Sequence, residues 1–136
     1  MSELLAPAGN YEAFIAAINA GANAVYIGLN SFSARAYANN FTIDEIKDLV
    51  EYAHLRNVKV FVTMNTIVFQ DELPLAYSTI DELAKANIDA IIIQDLALLD
   101  YVIQCHPSIE AHASTQMGID DLEGITSLER LGVKRV

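Results

Sequence analysis

The sequence predicts an α/β protein that forms the first part of a TIM-like (β/α)8 barrel, with about five βα units in 136 residues. β-branched apolar runs alternate with amphipathic helical segments, which is typical of parallel α/β architecture. The connectors also repeat. Three stretches, "AGANAVYIG" (20–28), "ANIDAIIIQ" (86–94) and "LGVKRV" (131–136), each give a helix end, a turn and then a strand.

The last of these connectors begins a sixth strand, whereas a complete barrel needs roughly 250 residues. We therefore expect residues 1–136 to be one partial barrel domain, truncated at the start of the sixth strand. An open doubly wound parallel sheet is the alternative.

Five strands and five helices are predicted in alternation. The strands are expected at residues 3–5, 24–27, 58–64, 90–93 and 109–113. The helices are expected at residues 11–20, 42–57, 72–86, 96–105 and 120–131. The second helix opens with a capping box, because Thr42 stands three residues before Glu45.

Composition restricts the class of protein. Hydrophobic residues make up 53% of the chain, enough for a packed core. No apolar run approaches the roughly 18–20 residues that cross a bilayer, and the first residues lack the basic leader of a signal peptide. These features predict a cytoplasmic protein that does not contact the membrane.

Charge and cysteine content exclude further classes. The net charge of −10 repels phosphate backbones, which argues against a nucleic-acid surface on this segment alone. Cys105 is the only cysteine, so these residues form no internal disulfide and no thiolate cluster site. No metal site is predicted.

Polar side chains follow the predicted strands at the point where each strand ends, which is where both candidate folds place ligands. Neutral amides predominate among them, and amides are suited to holding a polar ligand. The predicted ligand-binding residues are Asn10, Arg35, Asn65, Gln94, Asp95, His112, Ser114 and Gln116. The catalytic residues stay unknown, with His112 and Asp95 as candidates.

Strand alternation gives these side chains a direction. In the fifth strand, Ile109, Ala111 and Ala113 are expected to meet the helices, whereas His112 and Ser114 point into the barrel. In the third strand, Phe61, Thr63 and Asn65 are expected on the barrel side.

Several candidates also have a purely structural interpretation. His112 can be a hydrogen-bonded interior histidine, and Ser114 or Thr115 can cap the helix that follows. Asp95 can be the N-cap of the fourth helix, Asn10 can be a turn residue, and Arg35 can pair with a surface carboxylate.

Two other histidines are not expected to take part in chemistry. Consecutive helical residues point about 100° apart, so Cys105 and His106 do not form a reactive couple. Pro107 places that pair at a helix end remote from the ligand face. His54 is predicted to be a solvated residue late in an exposed helix.

Five blocks of the sequence together resemble the N-terminal half of the collagenase-like peptidase family. They are "ELLAPAGNYEAFIAAINAGANAVYIG", "FSARAYANNF", "VKVFVTMNTIVFQDEL", "IIIQDLALL" and "HASTQM", and they occur in order along the whole chain. The resemblance implies a (β/α) barrel with a nominal peptidase activity. Other members of the family resemble hydroxylation factors for transfer RNA, ribosomal RNA or ubiquinone precursors.

Three functions follow as expectations. The first is a peptidase that acts on a peptide. The second is a component of an RNA or ubiquinone-precursor hydroxylation system that binds a small anionic molecule. The third is a non-catalytic scaffold fragment. The resemblance also implies an iron–sulfur cluster in some full-length members, held by cysteines downstream of this segment; Cys105 does not match those positions.

The remaining expected partners are the rest of the full-length chain and a second copy of this segment. A five-stranded partial barrel leaves two sheet edges unpaired. Inner residues such as Phe61 and the run 91–93 would then be exposed and would drive self-association, and the segment alone would be inactive.

Overall fold

The computed structural model of the chain describes residues 2–34 and 40–136. Strands and helices alternate in the predicted order. Strands β1 to β5 span Leu5–Pro7, Ala24–Gly28, Lys59–Met64, Ala90–Ile93 and Glu110–Ala113. Helices α1 to α5 span Tyr11–Asn19, Ile43–His54, Leu73–Lys85, Leu96–Cys105 and Leu122–Leu131, and a short 3-10 turn, Thr115–Met117, follows β5.

The five strands form one parallel sheet in the order β1-β2-β3-β4-β5. A doubly wound sheet has a switch point at which the strand order reverses. The observed order follows the chain without a reversal, as in the first part of a (β/α) barrel. The predicted α/β barrel class is therefore confirmed, and the doubly wound alternative is wrong.

The two faces of the sheet are packed differently. On the outer face, helix residues such as Phe14 and Leu83 join strand residues such as Val60 and Ile91 in one large core. On the opposite, inner face, Ala24, Phe61 and Ala90 form a second cluster with half-buried Leu5, Tyr26 and Ile92 packed against it. The members of the inner cluster all come from strands, which leaves room for a cavity above them.

Four of the five helices, α1, α2, α3 and α5, end in a tight turn that leads into the next extended segment, whereas α4 ends at His106 without one. The turn residues Gly21, Asn57, Asn87 and Gly132 all have positive φ, between 58° and 105°. This left-handed conformation ends a helix and is accessible to glycine and asparagine. The repeated connectors of the sequence are therefore one repeated C-terminal cap.

The capping box of α2 is present as predicted. The Thr42 side chain accepts a hydrogen bond from the Glu45 backbone N–H at 3.3 Å, and the Glu45 carboxylate accepts from the Thr42 N–H at 2.7 Å. These bonds satisfy backbone donors that the first turn of a helix leaves unpaired.

Strand β1 lies two residues later than the predicted range of 3–5. It pairs with β2 from Leu5 opposite Ala24 to Pro7 opposite Tyr26. Proline donates no ladder hydrogen bond, but β1 is the edge strand, where proline is tolerated. The sequence places this strand too early because small residues and a proline carry little of the periodic apolar signal.

The expectation of an exposed apolar inner face is wrong. Phe61 is fully buried, and Ile91 and Ile93 face the helices in the outer core. Of the run 91–93, only half-buried Ile92 belongs to the inner cluster. The predicted self-association would have to depend on other surfaces, and it stays a prediction.

No helix in the described ranges, 2–34 and 40–136, is long and apolar enough to cross a membrane.

Candidate functional site

A cavity of about 450 Å³ lies on the inner face of the sheet and reaches the carboxyl ends of β3 and β5. Its lining mixes apolar strand residues with neutral polar groups and one guanidinium. The lining residues are Leu5, Tyr26, Ala34, Thr63, Asn65, Ile92, His112, Ala113, Ser114, Thr115, Gln116, Arg135 and Val136.

Strand register places one row of these side chains next to one another. Thr63 in β3 is opposite Ile92 in β4, and Ile92 is opposite His112 in β5. Arg135 continues the row, because it forms a parallel bridge with His112. The predicted inward direction of His112 and Ser114 is confirmed, as is that of Phe61, Thr63 and Asn65.

His112 lines the cavity and is only 2% exposed. Its ring packs edge-on against Phe61, with 4.9 Å between the ring centroids. Its Nε2 lies 2.8 Å from a carboxylate oxygen of Glu110, two residues earlier on the same face of β5.

Burial, and secondarily the nearby Arg135 guanidinium, lowers the pKa of His112 below its usual value, although Glu110 opposes this shift. The hydrogen bond from His112 lowers the pKa of Glu110. At neutral pH the pair is therefore a neutral imidazole beside an ionised carboxylate. A carboxylate only accepts, so His112 Nε2–H donates to Glu110.

Residues 29–34, which follow β2, reach over the inner face of the sheet, and Gly28 makes this possible. A Cβ atom on Gly28 would lie 2.6 Å from Asn40 Oδ1 and 2.8 Å from Ser33 Oγ. Because glycine has no side chain, Ser33 is buried against the sheet, with its Oγ 3.0 Å from Thr63 Oγ1. This segment therefore forms one wall of the cavity.

Asn65 joins two sides of the cavity mouth. Its Oδ1 accepts a hydrogen bond from the Ala34 backbone N–H at 3.0 Å, and its Nδ2 donates to Ser114 Oγ at 3.4 Å. Ser114 Oγ also accepts from the Gln116 backbone N–H at 3.2 Å, so Ser114 caps the 3-10 turn. The capping interpretation of Ser114 is confirmed.

Gln94 lies beside this mouth but does not line the same cavity. Its Nε2 donates to the backbone carbonyl of Gln116 at 3.2 Å. The structure thus places Asn65, His112, Ser114 and Gln116 around one cavity, with Gln94 behind Gln116.

Two other predicted site residues have structural partners. Asp95 is the N-cap of α4, and its Oδ1 accepts from the backbone N–H groups of Ala97 and Leu98 at 2.8 and 3.3 Å. Asn10 caps α1 through a bond of 2.8 Å from the Ala13 N–H. The N-cap interpretation of Asp95 is confirmed, whereas Asn10 is a helix N-cap and not simply the turn residue expected. Arg35 lies outside the described residues.

Thr63 and Arg135, which line the cavity, were missing from the predicted site, and so was Glu110, the hydrogen-bond partner of His112. The repeated connectors could have indicated that Arg135 points to the inner face, because Arg135 stands three residues after the turn residue Gly132. Ala24 and Ala90 stand at the same distance after Gly21 and Asn87, and both point to the inner face.

The other two histidines are paired with aspartates away from the cavity. His106 Nε2 lies 2.7 Å from Asp81 Oδ1, which also accepts from the Tyr101 hydroxyl at 2.9 Å. His54 Nε2 lies 2.8 Å from Asp89 Oδ2. His54 is exposed as predicted, but it is not merely solvated, because Asp89 holds it.

The arrangement fits binding better than nucleophilic attack. An activated serine needs a hydrogen bond to a base. In the described ranges, the partners of Ser114 Oγ are two amide N–H donors, and the imidazole of His112 is bonded to Glu110. No three His, Cys, Asp or Glu side chains of the described residues lie together as a metal site.

An iron–sulfur cluster does not fit the residues of this segment. Such clusters are held by several thiolates, and the chain contains one. Cys105 is exposed at the end of α4, beside the Asp81–His106 pair.

The chain is similar to proteins that carry two kinds of name. It is 42% identical over 134 residues to the 23S rRNA 5-hydroxycytidine C2501 synthase of Escherichia coli, covering 98% of this chain and 20% of that protein. It is 38% identical over 135 residues to tRNA hydroxylation protein P of Helicobacter pylori, covering 98% and 32%. It is also 38% identical over 129 residues to a collagenase of Porphyromonas gingivalis, covering 94% and 31%.

These 136 residues therefore span a third or less of the length of those three relatives. Among solved structures, a U32 peptidase superposes with a TM-score of 0.75 at 19% identity, covering 98% of this chain and 56% of that one. The 2,3-dimethylmalate lyase of the PEP mutase/isocitrate lyase superfamily superposes with a TM-score of 0.58 at 15% identity, covering 97% and 56%. At these identities both structures show the fold alone.

The sequence model of peptidase family U32 matches residues 9–136. With this match over nearly its whole length, the chain belongs to peptidase family U32.

Proposed function

We propose that this chain is the ligand-binding part of an RNA-hydroxylation factor of the U32 family. The observation that carries the proposal is the hydrogen bonding of the cavity. Its serine and histidine side chains are bonded to amides and to a carboxylate rather than to each other. Two relatives named for RNA hydroxylation match 98% of the chain.

The cavity chemistry supports a small organic ligand with an anionic group. Arg135 supplies a guanidinium, one nitrogen of which donates to Glu3 at 2.8 Å, and a guanidinium carries five N–H donors. Leu5 and Ile92 offer apolar contact for the rest of the ligand. A volume of about 450 Å³ is in the usual range for small-molecule sites.

The RNA itself would be bound mainly by other parts of the protein. The net charge of −10 on these residues repels a phosphate backbone at long range. The chain would hold the small molecule, and basic surfaces elsewhere in the protein would hold the RNA.

The test is nucleoside analysis of RNA from the native host. Deleting the gene should remove a hydroxylated pyrimidine from transfer or ribosomal RNA, as measured by mass spectrometry, and the wild-type gene should restore it. Unchanged nucleosides in both RNA classes would overturn the proposal. Iron and acid-labile sulfide in the purified whole protein would test the expected cluster.

Peptidase activity is the second candidate, because a relative named collagenase matches 94% of the chain at 38% identity. Gelatin and denatured collagen should be incubated with the purified whole protein. Cleavage that is lost on Ser114→Ala or His112→Asn substitution would favour the peptidase over the hydroxylation factor.

A further inference from the structure

Glu110 and His112 form the one carboxylate–imidazole pair that borders the cavity in the described ranges. They are two residues apart on the inner face of β5, with Glu110 Oε2 and His112 Nε2 2.8 Å apart. We infer that Glu110 is a positioning residue that fixes His112 as its Nε2–H tautomer and so offers Nδ1 to the ligand as a hydrogen-bond acceptor. The inference rests on the proposed ligand-binding function and specifies it further.

Packing and hydrogen bonding together fix the orientation of the His112 ring. The His112 ring is 2% exposed and meets the Phe61 ring edge-on, so packing restricts its rotation. The ionised carboxylate accepts the hydrogen bond from Nε2–H, which keeps the proton on Nε2 and so fixes the tautomer. A ring held by both contacts presents its other nitrogen in one direction.

Charged groups around the ring come from several elements. Glu110 lies on the same strand, and Arg135 bridges to His112 from the last residues of the chain. Glu3, before β1, forms an ion pair with Arg135 at 2.8 Å. The positive charge of Lys59 in β3 helps to lower the pKa of Glu110. Glu110 and Glu3 favour a charged ring, whereas Arg135 and burial oppose one, and burial has the largest effect.

A neutral His112 ring with its proton on Nε2 favours ligands that donate a hydrogen bond. Nδ1 accepts a hydrogen bond, so it binds a ligand hydroxyl or amine and does not attract an anion. The Arg135 guanidinium of the same row binds an anionic group. The site would therefore take a ligand that carries both a hydrogen-bond donor and an anionic group.

The tautomer of His112 is measured by NMR of the full-length protein labelled with 15N-histidine. The His112→Asn variant assigns the signals. Wild-type His112 should be neutral at pH 7 with the proton on Nε2. A protonated ring, or a neutral ring with its proton on Nδ1, in the wild-type protein would by itself overturn the inference.

The Glu110→Gln variant tests whether the Glu110 carboxylate is what fixes the His112 tautomer. The glutamine amide can either accept from Nε2–H or donate to bare Nε2, so both tautomers should become populated. Asp81→Asn is the matched control, because it removes a carboxylate from His106 at 2.7 Å outside the cavity. It should leave the His112 signals unchanged. An unchanged His112 tautomer in Glu110→Gln would overturn the positioning role.

The same two variants are then tested in the gene-deletion strain. Glu110→Gln should lower the hydroxylated nucleoside in proportion to the loss of the Nε2–H tautomer, by at most about tenfold, the effect of losing one hydrogen bond to the ligand entirely, whereas Asp81→Asn should not. Full modification by Glu110→Gln would overturn the contact between Nδ1 and the ligand. If the wild-type gene itself restores nothing, the RNA function is wrong, and the NMR result still decides the positioning role.

Discussion

The guanidinium of Arg135 lies 2.8 Å from the carboxylate of Glu3, although 132 positions separate the two residues. Glu3 precedes β1, at one edge of the sheet, and Arg135 bridges to β5, at the other. The two edges are therefore within reach of a single ion pair. A flat sheet of five strands would hold them about four strand spacings of 4.7–4.9 Å apart, so the sheet is curled, as a barrel requires.

Substitution of Glu3 should cost little stability. The two side chains are 33% and 38% exposed, and solvent screens a pair of this kind. We expect Glu3→Gln to lower the free energy of unfolding by less than about 1 kcal/mol. Urea denaturation checks this, with Glu12→Gln on the exposed face of α1 as the control. A loss of several kcal/mol would show that the ion pair holds the sheet in its curled form.

Substitution of Gly28 should be much more costly. In Gly28→Ala the new methyl group would meet Asn40 Oδ1 at 2.6 Å and Ser33 Oγ at 2.8 Å. Relieving this overlap should lower the free energy of unfolding by about 1–3 kcal/mol. Ser31→Ala, at an exposed position of the same segment, is the matched control for denaturation. Equal stability of the two variants would mean that the segment can move away from the sheet without cost.

Asp95 should be needed for stability and not for chemistry. Removing its bonds to the first turn of α4 should lower the free energy of unfolding by about 1 kcal/mol in Asp95→Ala. Asp100→Ala, on the exposed side of the same helix, should change it by less than about 0.5 kcal/mol. RNA hydroxylation in cells should be near normal in Asp95→Ala. Its complete loss in a folded variant would make Asp95 part of the active site.

Stability should fall with pH below about 6.5 because of His112. Its pKa in the folded protein lies below the unfolded value of about 6.5, so the unfolded chain binds this proton first as the pH falls. The free energy of unfolding should decrease by up to about 1.4 kcal/mol per pH unit until the folded pKa is reached. Urea midpoints at pH 7.0 and 5.5 measure this slope.

The His112→Asn variant supplies the comparison, because it lacks the titrating group. Its midpoint should change less between the two pH values than the wild-type midpoint does. An equal change in both proteins would assign the pH dependence to other groups.

The sequence by itself determined the order of the elements, the helix caps at Thr42, Asp95 and Ser114, and the inward direction of His112 and Ser114. All three are local properties. An apolar period, a capping residue such as Thr42 and strand alternation each act over a few neighbouring residues. The strand at Leu5–Pro7 was misplaced because small residues and a proline carry little of that periodic signal.

The tertiary structure alone decided which distant side chains meet. Ser33 reaches Thr63 because Gly28 lets a segment fold over the sheet, and Arg135 reaches Glu3 because the sheet curls. Such contacts depend on register and curvature, which are set by packing of the whole sheet and not by any short stretch of sequence. The inward direction of His112 could likewise be predicted from the sequence, but its hydrogen bond to Glu110 could not, because that bond depends on how packing orients the ring.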